Sequence, residues 1–541
     1  MSKKELQLKD IYFGKTDAYN EYLEYGTDTF KGLFFEFPNI DISKLLNGST
    51  YYIFGNKGTG KTMLLKYLES VVLEEPATQF TEFIRFKRDI DDEERNKIKR
   101  SSVVGNSFEE IIDKDIPNDF TLDCSLAWQV YLIKVIVNRL AETEYGVFDR
   151  TDENWIRMCD LIEAMYGSLS DKSSVKKILP QMKRGNITLK YKEAANLNLE
   201  FEWEDEEKKQ VPFSTVAKEI VDLYSKLKPV EDKIYIFIDE LELSFKNSKK
   251  YQRDVALIRD LIFAIEYLSD TNRTKGYNVY LLTAIRSEVY KQIISKGMEI
   301  NKTVHDFGVL ISWEQKGGNL KEHPLLKMLE KRIRYTEEQL GIEPAADVWD
   351  AYFVPTISES EKDVKNYILD QTWLKPRDII RLFTIIQQQK ALKTKVDQEC
   401  FDAARKRYAE ESWAEFEEYL TVKYSDTQVE GIKKTLTGLK LPFTVKDFEN
   451  SIKAKKGFYE EVAELSKIGV PGVLKDLYNV GIIGNYGSNS RFIFKGDDDI
   501  DPTMPITIHY PLIRFFKASI TFYTSRSKNA HISSDYEYLS N

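Results

Sequence analysis

The chain has 541 residues, 42% of them hydrophobic and 30% charged, with a net charge of −9 at neutral pH. That length predicts about three domains, each able to bury its own core. No run of about eighteen uncharged apolar residues is present to span a bilayer, the start Met1-Ser2-Lys3-Lys4-Glu5-Leu6 lacks the apolar core of a secretory signal, and the acidic balance argues against wholesale non-specific binding to nucleic acid. Cys124, Cys159 and Cys400 are widely spaced and odd in number, which predicts reduced thiols in a cytoplasmic protein and no zinc site. His305, His323, His509 and His531 have no metal-ligand spacing.

Residues 1–45 read as a polar and aromatic entry segment containing Phe13-Gly14-Lys15-Thr16-Asp17-Ala18. A first strand is expected over residues 50–54. It runs into Gly55-Asn56-Lys57-Gly58-Thr59-Gly60-Lys61-Thr62, followed by the helix-like Met63-Leu64-Leu65-Lys66-Tyr67-Leu68. Glycines at this spacing let successive N–H groups turn inward around phosphates, and the positive end of the following helix faces the same anion. All eight positions are therefore assigned to binding a nucleoside triphosphate, ATP being the expected one. Lys61 is expected to reach its β and γ phosphates, and Thr62 to hold Mg²⁺. The entry segment is expected to pack against this pocket.

A second strand is expected over residues 80–86, and residues from about 90 to 230 read as a charged helical insertion with an apolar-periodic stretch at 126–137. The run Ile234-Tyr235-Ile236-Phe237-Ile238-Asp239-Glu240 has the pattern of a buried parallel strand ending in two carboxylates. Asp239 is assigned to the Mg²⁺ shell. Glu240 leaves the strand at another angle and is assigned as the general base that polarises the attacking water.

A further strand over residues 277–287 places Thr283 to orient that water and Arg286 to read the terminal phosphate, unless Arg286 simply begins an exposed helix. A fifth strand is expected over residues 307–313, followed by a helix over 324–334 whose arginines serve either as a finger to a neighbouring subunit or as solvated charge. In Trp373-Leu374-Lys375-Pro376-Arg377-Asp378 the proline starts a helix that presents Arg377 on its first turn, either to the phosphates from a lid or to a local carboxylate.

Residues from about 440 to 515 have the pattern of a winged helix, with a hairpin of 482–485 and 491–495 across a glycine- and asparagine-bearing turn. Between 441 and 500 there are eight Lys/Arg against nine Asp/Glu, and the would-be recognition helix offers Lys475 balanced by Asp476. Protein contact and base readout, the latter through Arg491 and Lys495, both stay open. The segment beyond about residue 520 reads as a polar tail.

On the loop at 55–62 and the Asp239-Glu240 pair, the chain resembles the AAA+ and STAND branch of P-loop ATPases, in particular bacterial relatives of the origin-recognition ATPases that end in a winged helix. Leu281-Leu282-Thr283-Ala284-Ile285-Arg286-Ser287 is similar to the Thr-Thr-Arg sensor of STAND proteins with one extra residue before the arginine, and Lys375-Pro376-Arg377-Asp378 looks like the sensor arginine of a lid. The resemblance implies an α/β fold with a parallel, additional-strand P-loop sheet, a large helical insertion, a helical lid and a C-terminal winged helix. The implied segments are 1–45 entry, 46–330 ATPase core, 331–410 lid, 411–518 winged helix and 519–541 tail. It also implies a slow ATPase switch, cycling with ATP and Mg²⁺ in the cytoplasm without a membrane. Such a switch would assemble with itself or a partner protein and control a separate effector, as in antiphage defence and mobile-element loci. The alternative is a DNA-binding ATPase of the origin-recognition or transposition-helper type, with nucleic acid held through the winged helix.

Overall fold

The computed structural model describes residues 6–37, 39–75, 78–101, 123–141, 146–166, 188–190, 200–202, 213–241, 248–295, 301–313, 320–357, 362–421, 423–486, 492–494, 500–516 and 519–520. The chain divides into two compact units. A sheet unit comprises Glu36–Lys57 and Lys61–Ser312, and a helical unit comprises Met1–Phe35, Gly58–Gly60 and Trp313–Asn541.

In the sheet unit, β-branched and aromatic runs form β1 (Tyr52–Gly55), β2 (Thr78–Arg85), β3 (Lys233–Leu241), β4 (Val279–Arg286) and β5 (Gly308–Leu310). They make one sheet in the order β2-β3-β4-β1-β5, and every pair is parallel. β4 thus lies between β1 and β3. Residues 234–239 of β3 are all buried, as expected of a strand covered on both faces.

Two strands end differently from their sequence patterns: β2 is displaced to 78–85 from the expected 80–86, and β5 is shortened to 308–310 from the expected 307–313. β2 stops at Arg85 because the Asp89 carboxylate accepts the Arg85 N–H at 2.8 Å, and Phe86 opens the short helix Phe86–Asp89. β5 starts only at Gly308, since Phe307 ends the helix Asn301–Phe307. A Cβ at Gly308 would lie 2.3 Å from the Val304 carbonyl oxygen and 2.7 Å from the Phe54 ring, so only glycine permits this tight helix-to-strand passage.

α1 (Lys61–Val72) follows the glycine-rich loop. The insertion between β2 and β3 includes α2 (Asp92–Ser101), α3 (Ser125–Ala141), α4 (Glu153–Tyr166) and α5 (Phe213–Tyr224), and α6 (Ser248–Lys275) joins β3 to β4. α3 is buried nearly all round, as a helix inside a core must be. It packs on α6, where the Trp128 indole N–H donates to the Leu257 carbonyl at 3.0 Å and the Asp260 carboxylate accepts the Cys124 N–H at 2.9 Å. Arg95 of α2 pairs with buried Asp254 of α6 at 3.3 Å. The insertion and the sheet therefore share one apolar core.

The helical unit contains α7 (Pro324–Gln339), α8 (Pro376–Gln389) and α9 (Gln398–Leu420). α7 and α8 each begin with proline in the first turn, where its missing N–H costs nothing. α9 is continuous across the boundary expected at 410/411. The N-terminal segment is stitched to these helices. The Leu8 N–H donates to the Lys393 carbonyl at 2.7 Å, the Tyr12 N–H donates to Thr336 Oγ1 at 3.0 Å, and Arg332 Nη1 pairs with Glu21 at 2.8 Å. Both members of that ion pair are buried, so Arg332 is neither solvated charge nor exposed for a neighbour. Removing either one would strand a buried charge.

Beyond α9 come α10 (Asp426–Leu436), α11 (Val445–Lys455), α12 (Glu460–Leu465) and α13 (Val470–Val480). A three-stranded antiparallel sheet follows: β6 (Ile483–Tyr486), β7 (Phe492–Ile493) and β8 (Ile506–Ile508), with β6 central. The sequence pattern included the β6–β7 hairpin but not β8. Gly481 ends α13 at φ +86°, a left-handed cap that glycine supplies without strain. Arg491, Lys495 and residues 521–541 lie outside the described residues.

Candidate nucleotide-binding site

The loop at 55–62 leaves the C-terminal edge of β1 and enters the N-terminus of α1. Gly58 and Gly60 have φ of +83° and +98°, values that a side chain would strain. In the sheet unit the Lys61 ammonium is nearly buried and donates to the carbonyls of Gly55 and Asn56, both at 2.9 Å. Thr62 Oγ1 donates to Asp239 Oδ2 at 2.6 Å. A hydroxyl and a carboxylate from separate elements thus converge where α1 starts, a donor set suited to a hard divalent cation such as Mg²⁺.

Asp239 is buried. Burial pushes its carboxyl above the usual value. The hydrogen bonds from Thr62 and from the Glu240 N–H, and the cations Lys61 and Arg286, act in the opposite direction. The β3–β4 ladder pairs Ile238 with Thr283 and then Leu241 with Ile285, so β3 carries one extra residue at Asp239-Glu240. This bulge re-aims both acids relative to a regular strand. Glu240 also has φ +56°, a left-handed conformation rare for a non-glycine residue and one that marks stored strain.

Thr283 is fully buried between β1 and β3, and its Oγ1 has no hydrogen-bond partner among the described residues. Its N–H donates to the Tyr51 carbonyl at 2.8 Å. Arg286 pairs in register with Gly55, the first residue of the loop. Lys61, Thr62, Asp239 and Arg286 are therefore grouped at one edge of the sheet.

The loop tip, Gly58–Gly60, belongs with the helical unit. The Gly58 carbonyl accepts the Arg377 N–H at 3.4 Å, and the Thr59 carbonyl accepts the Trp313 indole N–H at 2.9 Å. Arg377 Nε donates to the Thr16 carbonyl at 3.1 Å, and its Nη1 lies 3.6 Å from Glu415 of α9. Of the two sequence alternatives for Arg377, the side chain meets the local carboxylate, Glu415, while its contact with the loop tip is made by the backbone N–H alone. In the sequence Trp313 reads only as the end of the expected fifth strand, which stops at Leu310, and Glu415 carries no assignment, because neither lies in a binding motif. The expected recognition helix is α13, whose Asp476 accepts Lys423 Nζ at 2.6 Å and the Tyr424 hydroxyl at 2.7 Å.

Residues 323–417 match the family model of the FunZ-associated C-terminal helical domain. No curated protein matches the chain. The matched segment runs from the N-cap of α7 through α8 and most of α9, so it carries Arg332, Arg377, Arg381 and Glu415 together. It is helical throughout most of its length, and the sheet lies outside it. No helix among the described residues is long and apolar enough to cross a membrane.

Proposed function

We propose that this chain is a slow ATPase switch of the additional-strand P-loop type, which binds ATP with Mg²⁺ at residues 55–62 and controls a separate effector. The observation that carries the reading is the Thr62–Asp239 hydrogen bond of 2.6 Å at the mouth of a loop whose Gly58 and Gly60 adopt positive φ. The strand order supports it, since β4 lies between the loop strand and the acidic strand. Bound Mg²⁺ would neutralise charge developing on the β and γ phosphates.

The remaining roles belong to this chain's own groups. Lys61, held inward by the Gly55 and Asn56 carbonyls, is placed to exchange them for phosphate oxygens. Glu240, re-aimed by the bulge, takes the proton of the attacking water. The orphaned Thr283 hydroxyl is a donor available to orient that water. Arg286, in register with Gly55, supplies cationic hydrogen bonds to the terminal phosphate, and the same role for Arg377 rests on the family resemblance alone.

The helices α10–α13 with the β6–β8 sheet have the make-up of a winged helix. The acid-for-base balance of α13, with Asp476 tied to Lys423 and Tyr424, favours a protein partner over duplex DNA. Self-association and antiphage defence complete the proposal and rest on the family resemblance in the loop and the acidic strand. Titration with Mg²⁺ and ATP tests the first step: wild type should bind and Lys61→Ala should not. Equal binding by both would remove the site from consideration.

A further inference from the structure

We infer that Glu415 is a positioning residue for Arg377, setting which face of the guanidinium is offered to an anion cradled by the Gly58–Gly60 tip. This rests on the reading of that loop as a phosphate site. Arg377 is pinned at its backbone, where its N–H meets the Gly58 carbonyl and its Cβ would lie 3.1 Å from any Cβ placed on Gly58. The side chain is then directed at two points: Nε on the Thr16 carbonyl at 3.1 Å and Nη1 toward Glu415 Oε1 at 3.6 Å. A guanidinium is planar with five fixed N–H donors, so the hydrogen bond at Nε and the ion-pair contact at Nη1 restrict its plane and leave the Nη2 pair over. Among the described residues Nη2 has no protein partner, and the side chain is 27% exposed.

Charge decides whether Glu415 orients Arg377 or cancels it. Glu415 Oε2 is already taken by Arg381 Nη2 at 2.5 Å, and Arg381 Nη1 reaches Ser412 Oγ at 3.4 Å. Both partners of that pair are largely buried, with side-chain exposures of 11% for Arg381 and 15% for Glu415. The carboxylate charge is thus offset by Arg381 on the same helix as Arg377, one turn on. Arg377 keeps its positive charge for an incoming anion while Glu415 Oε1 steers it.

The terminal phosphate distinguishes ATP from ADP, so the readout is the ratio of the two dissociation constants with Mg²⁺, measured by displacement of a fluorescent ADP analogue. Glu415→Gln should lower the preference for ATP at least about fivefold, as Arg377→Ala does, with ADP affinity unchanged within about twofold. The double variant should be no worse than Arg377→Ala alone, because both changes act through one side chain. Arg381→Lys, which keeps the offsetting charge, should retain the preference. If Glu415→Gln melts below the assay temperature, Glu415→Asp replaces it, keeping the charge for Arg381 but withdrawing from Arg377, and should also lose preference. If Arg377→Ala loses the preference and both Glu415 variants keep it, the inference fails while the phosphate reading stands. Should Lys61→Ala bind ATP as wild type does, the phosphate reading fails and takes the inference with it.

Discussion

Gly58→Ala puts a side chain at the point where the loop tip meets the first turn of α8. At φ +83° an L-residue costs about 1–2 kcal/mol. The new Cβ would sit 3.1 Å from Arg377 Cβ and 3.4 Å from its Cδ, inside the separation of about 3.5–4.0 Å at which carbon atoms pack well. Relief requires either the loop or Arg377 to move, so the Gly58–Arg377 hydrogen bond is weakened as well. A total near 2 kcal/mol corresponds to a loss of roughly 30-fold in ATP affinity. The assay is displacement of a fluorescent nucleotide, with Gly457→Ala as control, because a Cβ there meets nothing within 4 Å. Wild-type ATP affinity in Gly58→Ala, or an equal loss in Gly457→Ala, would refute the reasoning.

Asp239→Asn should raise the melting temperature of the nucleotide-free protein at pH 7 while abolishing hydrolysis, because it removes a buried charge that binding needs and folding does not. The Asp239 carboxyl is raised above 3.8 by burial. The folded state therefore holds its proton more tightly than the unfolded chain, and wild-type stability falls as pH rises from 3.8 through the raised folded value. The advantage of the asparagine should be full above that window and shrink toward zero as pH approaches 3.8; a gap in melting temperature that does not change with pH would refute this. Trp128→Ala should destabilise the sheet unit by about 3–5 kcal/mol, since it empties a fully buried site and removes the indole hydrogen bond to the Leu257 carbonyl. Chemical denaturation would expose the error if the sheet unit's transition did not move.

The loop at 55–62 and the Asp239-Glu240 pair were legible in the sequence because the residues that make each are contiguous. Strand positions were legible to within a few residues, failing where one local contact intervened: the Asp89 cap at Arg85 and the close approach at Gly308. The strand order was not legible, because placing β4 between β1 and β3 depends on pairings across the whole insertion. β8 escaped notice for the same reason, as Ile506–Ile508 is too short to read as a strand until it meets β6. Arg332 looked like surface charge since its partner, Glu21, lies 311 positions away in the chain. Glu415 is on the helix after Arg377, and nothing in the intervening sequence marks the pairing.

The most direct test is single-turnover conversion of labelled ATP by wild type and by Glu240→Gln, with the nucleotide still bound measured after rapid gel filtration. With Glu240 as the base, the variant should retain unhydrolysed ATP while wild type releases ADP. Conversion by Glu240→Gln at the wild-type rate would contradict the account, because hydrolysis would then need no base at this strand end.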